Sequence, residues 1–159
     1  MTLDATARQA NILDSIKRYF VDTFETGASI PVTFDKGLSE PDLQGVTVHK
    51  WISVNMGDMS IGLLSDILLM VYCCTRQDNE GFKLAQLRDT VFEGLSVDTA
   101  TADDNYKRIP FYKSAPNIAN WTLLGSLLVQ DIIESKNLEA PDETKYKILT
   151  VRLRTPSKV

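Results

Sequence analysis

The sequence predicts an α+β fold: one domain with a mostly antiparallel or mixed sheet, built from long hairpins and flanked by two main helices. Three observations predict it. Two amphipathic segments at helical spacing, about residues 6–24 and 79–95, are set among β-branched runs. MSIGLLSDILLMVYCCT (59–75) is apolar on both of its alternating faces from Ile67 onward, as in a central strand covered on both sides. TKYKILTVRLR (144–154) alternates Lys147, Leu149, Val151 and Leu153 with Tyr146, Ile148, Thr150 and Arg152, the period of a strand. A chain of 159 residues is long enough to bury such a core without disulfides or metals.

In the first helix Ile12, Leu13, Ile16, Tyr19, Phe20 and Phe24 form the apolar stripe, Thr2 or Asp4 is the expected cap, and Gly27 the expected stop. IPVTF (30–34) reads as a short strand and DKGLSEPDLQG (35–45) as a loop. VTVHKWISV (46–54) reads as a strand, NMGD (55–58) as a hairpin turn, and 59–75 as the returning strand, bent at Gly62 or continuing as an arm. Asp78 or Asn79 then caps the second helix, whose apolar face is Leu84, Leu87, Val91, Phe92 and Leu95. After the acidic loop SVDTATADDNY (96–106), RIPFY (108–112) is an edge strand, because Pro110 lacks the N–H a central strand needs. WTLLGSLLVQDIIES (121–135) fits strand or helix. Its β-branched content is low, yet Gly125-Ser126 discourages a helix; taken as a strand over 121–133, it makes a long hairpin with 144–154 across the loop 136–143.

Function classes narrow by elimination. The net charge of −4, from 21 acidic and 17 basic residues, argues against tight nonspecific binding to nucleic acid, which needs a basic surface. The N-terminus lacks the basic start and apolar middle of a signal peptide, and no run reaches membrane-spanning length, so a cytoplasmic site of synthesis is expected. Two cysteines and one histidine fall short of the four ligands of a structural zinc site. Cys73 and Cys74, adjacent on a strand, point to opposite faces and cannot share an ion; they are expected to pack as small buried hydrophobes. His49 shares its strand face with Thr47, Trp51 and Ser53, where two-residue spacing does not bring a nucleophile to a base. The acid pairs Asp103 and Asp104, and Asp78 and Glu80, fall in loop or cap settings where solvated carboxylates are normal. There is neither a P-loop nor a G-x-G-x-x-G nor a G-x-S-x-G elbow. No catalytic, cofactor-binding or metal residue is therefore assigned, and the chain is not expected to be an enzyme.

What remains is apolar excess, in residues 63–74 and in WTLLGSLLV. It points either to contact with another copy or to a well-covered mixed sheet in a monomer. The opening ILDSIKRYFVDTF, the strand–turn–helix unit LLMVYCCTRQDNEGFKLAQLRDTVFEGL, RIPFY and the closing TKYKILTVRLR together resemble the tail terminator, or tail-completion, proteins of long-tailed bacteriophages. The resemblance is one of pattern over most of the chain. It implies a structural virion protein at the head-proximal end of the tail, made in the host cytoplasm. Its subunits, six in the family, would form a homo-oligomeric ring that ends polymerisation of the tail tube protein and meets the head-completion or connector protein. DNA would pass through the lumen without specific binding, and neither membrane nor cofactor is implied. Another neck or tail component, such as a head-closure or tube protein, and a small non-viral α/β binding or catalytic domain are the alternatives. For subunit and partner contacts the candidates are Leu64, Leu68, Met70, Tyr72, Trp51, Trp121, Asp35, Lys36, Glu40, Asp142 and Glu143; for lumen acids they are Asp98, Asp103 and Asp104.

Overall fold

Residue patterning places the two helices on one face of a single sheet. The computed structural model describes residues 9–42, 48–60, 64–96 and 108–156, with the backbone alone for 64, 65, 155 and 156. The elements are α1 (Gln9–Phe20), continued by a π-helical turn at Val21–Thr26, then β1 (Val32–Phe34), β2 (Lys50–Ser60), β3 (Leu64–Thr75), α2 (Phe82–Leu95), β4 (Arg108–Lys113), β5 (Thr122–Glu134), β6 (Leu138–Glu139) and β7 (Lys145–Pro156). The sheet order is β1-β2-β3-β7-β5-β4, with β6 on β7. Only β1–β2 is parallel, so the sheet is mixed and the fold class is α+β.

Alternate residues of the strands build the core. Ile52 and Val54 of β2, Ile67, Leu69, Val71 and Cys73 of β3, and Leu149, Val151 and Leu153 of β7 meet Ile12, Ile16, Phe20 and Phe24 below and Leu84, Leu87, Val91 and Leu95 of α2. Burying each such side chain contributes about 1.5–3 kcal/mol. No described helix is long and apolar enough to cross a membrane.

The expected turn at 55–58 is instead part of β2. Met56 pairs with Leu69 and Met59 with Ile67, so Gly57 and Asp58 together oppose Leu68. That is a β-bulge, and Gly57 is required there because a Cβ would lie 3.1 Å from the Leu68 carbonyl oxygen. The strand expected at 59–75 therefore begins at Leu64, and Met59 and Ser60 belong to β2. Residues 43–47 lie outside the described residues, and β2 starts at Lys50 rather than 46, with His49 in the bend before it. The first strand is Val32–Phe34, shorter than 30–34. Gly27 does not stop the first helix: its φ of −79° is right-handed, and the chain turns at Ser29, φ 55°, with Ile30 N–H closing on the Phe24 carbonyl at 2.9 Å. The expected caps Thr2 and Asp4 lie outside the described residues.

Asp78 does hold the start of α2, from further upstream than a usual cap. Gly81, φ 76°, turns the chain so that the Asp78 carboxylate accepts from Leu84 N–H at 2.9 Å, Lys83 N–H at 3.2 Å and the Thr75 hydroxyl at 3.2 Å. Residues 121–133 are strand, and β5 with β7 forms the expected antiparallel pair. β4 ends the sheet, as Pro110 requires.

Candidate assembly interface

Both helices lie on one face, and among the described residues the other face of the sheet is largely uncovered. Cross-strand register sets its rows: Trp51, Cys74 and Tyr146; Ser53, Tyr72 and Ile148; Asn55, Met70, Thr150 and Ile133; Leu68, Arg152 and Asp131; Asp66, Arg154 and Leu128. At one end Leu38 and Val48 fold over the face and form a small second core with Trp51, Cys74, Tyr72 and Tyr146. Beyond it Leu68, Met70 and Ile148 are half-buried, while Leu128 and Ile133 are 41% and 61% exposed. The charged residues among them are matched: Arg154 reaches Asp66 at 3.0 Å and Arg152 reaches Asp131 at 3.6 Å.

Several expected contact residues thus share this face and others do not. Leu68, Met70 and Tyr72 lie on it. Trp51 is on the same face but wholly buried, which removes it as a contact residue; it supports Leu38 and Val48 from beneath. Arg76, which pattern reading did not single out, gathers further candidates. Its guanidinium lies 5.2 Å from the Trp51 ring, pairs with Glu40 and with Asp142 at 3.1 Å, and donates to the Thr144 hydroxyl at 3.3 Å. The Asp142 carboxyl is held below its ordinary range, first by the Thr144 hydroxyl and N–H and then by Arg76. Glu40 and Asp142 are accordingly engaged within the chain. Asp35 is also committed, its carboxylate accepting from Met56 N–H at 2.9 Å. Lys36 accepts Ser39 N–H through its carbonyl, and Glu143, φ 65°, closes the turn onto Ala140. The side chain of Leu64, and Asp98, Asp103 and Asp104, lie outside the described residues.

Trp121 belongs to a different group. Its Nε1–H donates to the Ala115 carbonyl at 2.8 Å, and its ring packs 5.9 Å from that of Tyr112, with Arg18 over both. This anchors the turn end of a β4–β5 arm against α1. β5 pairs with β4 over Thr122–Leu128 but with β7 only over Leu128–Glu134. Among the described residues, the first half of β5 has β4 as its only strand partner. The arm is apolar and open: Leu123 is 62% exposed, Leu124 40%, and Ile118 just before it 57%. From Ser114 to Gln130 there is no charged residue.

The free edge of β4 is treated in the opposite way. Ser15 Oγ accepts Tyr112 N–H at 2.9 Å, and Asn11 Oδ1 accepts Ser114 N–H at 3.2 Å. Both are buried polar residues one turn apart on α1, so the helix satisfies edge groups that otherwise invite another strand. Their i, i+4 spacing within an apolar stripe was the available signal.

The cysteines and His49 are not brought together. Cys73 is in the main core and Cys74 in the small one, and burial pushes both thiols up to about 12. His49 is exposed and lines a cleft of about 630 Å³ with Lys50, Lys83, Ile30, Val48 and Leu87. Among the described residues, no three His, Cys, Asp or Glu side chains are grouped to hold a metal ion.

No family model and no curated protein sequence matches the chain. Solved structures similar to it include a protein without a stated function. That likeness covers 92% of this chain and 96% of the other, at a TM-score of 0.51 and 8% identity. At that identity the likeness concerns the fold alone: the whole arrangement of sheet and helices recurs on a very different sequence.

Proposed function

We propose that the chain is a structural subunit of a phage tail, a terminator that assembles as a ring on the tail tube, ends its growth and offers a surface for head joining. The observation that carries this reading is the uncharged, exposed segment Ile118–Leu128 beside a sheet face that, among the described residues, is uncovered and presents Leu68, Met70, Ile148 and Ile133 between paired charges. A protein acting alone rarely leaves such surfaces together, whereas a ring subunit needs them for its neighbours. The pattern resemblance to tail terminators and the acidic net charge, which suits a lumen that DNA passes without adhering, support it further. Tails produced with and without this protein, viewed by electron microscopy, test it. Overlong or unjoined tails in its absence are expected; tails of normal length carrying heads refute the proposal. A second reading, a small-molecule binding or catalytic domain, draws on the cleft beside His49, Lys50 and Lys83. A specific activity lost on His49→Ala is the result that favours it.

A further inference from the structure

We infer that neighbouring copies join head to tail, the β4–β5 arm of one seated on the helix-free sheet face of the next. The inference rests on the ring reading above and specifies the surfaces that make the ring. Edge strands of soluble proteins are ordinarily guarded by charge, proline, a bulge or a covering element. Here α1 guards β4 with Asn11 and Ser15, yet the arm formed by the first half of β5 carries Leu123 and Leu124 with no charge between Ser114 and Gln130.

Three features identify the occupant of the face as a second copy. First, β5 is one continuous strand from Thr122 to Glu134, so its arm runs on past the pairing with β7 and cannot fold back onto its own face. Second, the face offers Leu68, Met70, Ile148 and Ile133, while its arginines are neutralised by Asp66 and Asp131. The arm's β5 strand is uncharged, the charges of the arm being Arg108 and Lys113 at the two ends of β4, so the stretch around Leu123 and Leu124 can meet a face whose ions are paired. Third, each copy carries a net charge of −4, so contact between copies is least opposed where both surfaces lack charge. Because arm and face are different surfaces, the contact is heterologous, the kind that closes into rings.

A mixing experiment tests the contact. The arm variant is Leu123→Asp with Leu124→Asp, both exposed positions. The face variant is Met70→Asp with Ile133→Asp, and Ile133→Asp alone serves if the pair does not fold, as judged by circular dichroism. Mass is measured by sedimentation. The native chain is expected to form assemblies larger than a dimer, and each variant is expected to weaken association at least roughly a hundredfold, to a monomer, because a lone carboxylate is buried. Mixed in equal amounts, the two variants retain one intact arm and one intact face between them, and are expected to form a dimer that grows no further. Three results overturn the inference: a native chain that stays monomeric or stops at a dimer, folded variants that assemble as the native chain does, or a mixture that remains monomeric. If native and variant proteins both cap tail tubes, the contact is wrong and the terminator reading stands. If the mixture dimerises but tails lacking the protein are normal, the contact stands and the terminator reading fails.

Discussion

Gly94→Ala sets two known effects against each other in α2. Replacing a helical glycine by alanine stabilises by at most about 1 kcal/mol, less near a helix end such as that of α2, and only when the site is open. At Gly94 it is not. A Cβ there would lie 2.5 Å from Cζ and 2.6 Å from Cε1 of Phe24, and 3.4 Å from Cγ2 of Thr23. Phe24 is 1% exposed and its ring is braced 5.4 Å from that of Phe20, so it has no free direction to move. The Tyr19 hydroxyl, donating to the Gly94 carbonyl, fixes the backbone on the same side. Overpacking of this kind costs about 1–3 kcal/mol, and a rigid ring puts it in the upper half. Subtracting the helix gain leaves a net loss of about 1–2 kcal/mol, a fall in melting temperature of about 2–8 °C for a domain this size. Denaturant titration with and without Phe24→Leu, which removes the clashing carbons, is the assay. In the leucine background Gly94→Ala is expected to be neutral or stabilising, a coupling of about 1–3 kcal/mol. An alanine variant as stable as the native chain, or one equally costly in both backgrounds, refutes the reasoning.

Three further outcomes follow from particular contacts. Asp78→Asn, which removes the negative charge at the start of α2, should lower stability by about 0.3–1 kcal/mol at neutral pH. Burial raises the Asp78 carboxyl pKa, but hydrogen bonds from Leu84, Lys83 and Thr75 outweigh it and hold the folded value below the ordinary one. The native advantage is thus complete above the unfolded pKa of about 4 and vanishes as pH falls through the lower folded value; an advantage persisting unchanged to pH 2 counts against it. Ser15→Ala leaves Tyr112 N–H without its acceptor and should cost about 1–3 kcal/mol in urea melts, with added aggregation through the uncovered β4 edge. Cys73 and Cys74, with thiols at about 12, should react with a disulfide reagent at pH 8 no faster than the protein unfolds, and both should react in guanidinium.

The legible parts of the sequence were those where period and burial agree. The central strand, the closing strand 144–154 and both amphipathic helices follow from alternation and helical spacing, and Pro110 announced an edge; 121–135, which fitted strand or helix by pattern, is strand. Asn-Met-Gly-Asp misled because the same residues that make turns also make bulges; what separates them is Leu68 across the sheet, invisible in local pattern. The stop assigned to Gly27 failed for a related reason. Its small size serves the close approach of the Asp22 carbonyl, 3.2 Å from where a Cβ would sit, rather than a left-handed turn. Of the candidate contact residues, strand alternation put Leu68, Met70 and Tyr72 on one face, where the register has them. Trp51 is buried, since aromatic size alone does not distinguish a docking residue from the floor of a small core.

The two strands at the β4 side of the sheet carry the strongest argument about assembly. Burying Asn11 and Ser15 in an apolar helix stripe is unfavourable unless each finds a partner, and both find the backbone of β4. The fold therefore commits two buried polar side chains to closing one edge. One strand further in, the β5 arm lacks charge, a covering helix and a second strand among the described residues. A guard that closes the outer edge directs association away from it, and an unguarded arm next to that guard leaves one route open. On this reasoning, α1 sets where copies meet as well as stabilising the monomer. Opening the guarded edge with Ser15→Ala should then yield disordered aggregates rather than larger regular assemblies, because the new edge competes with the arm.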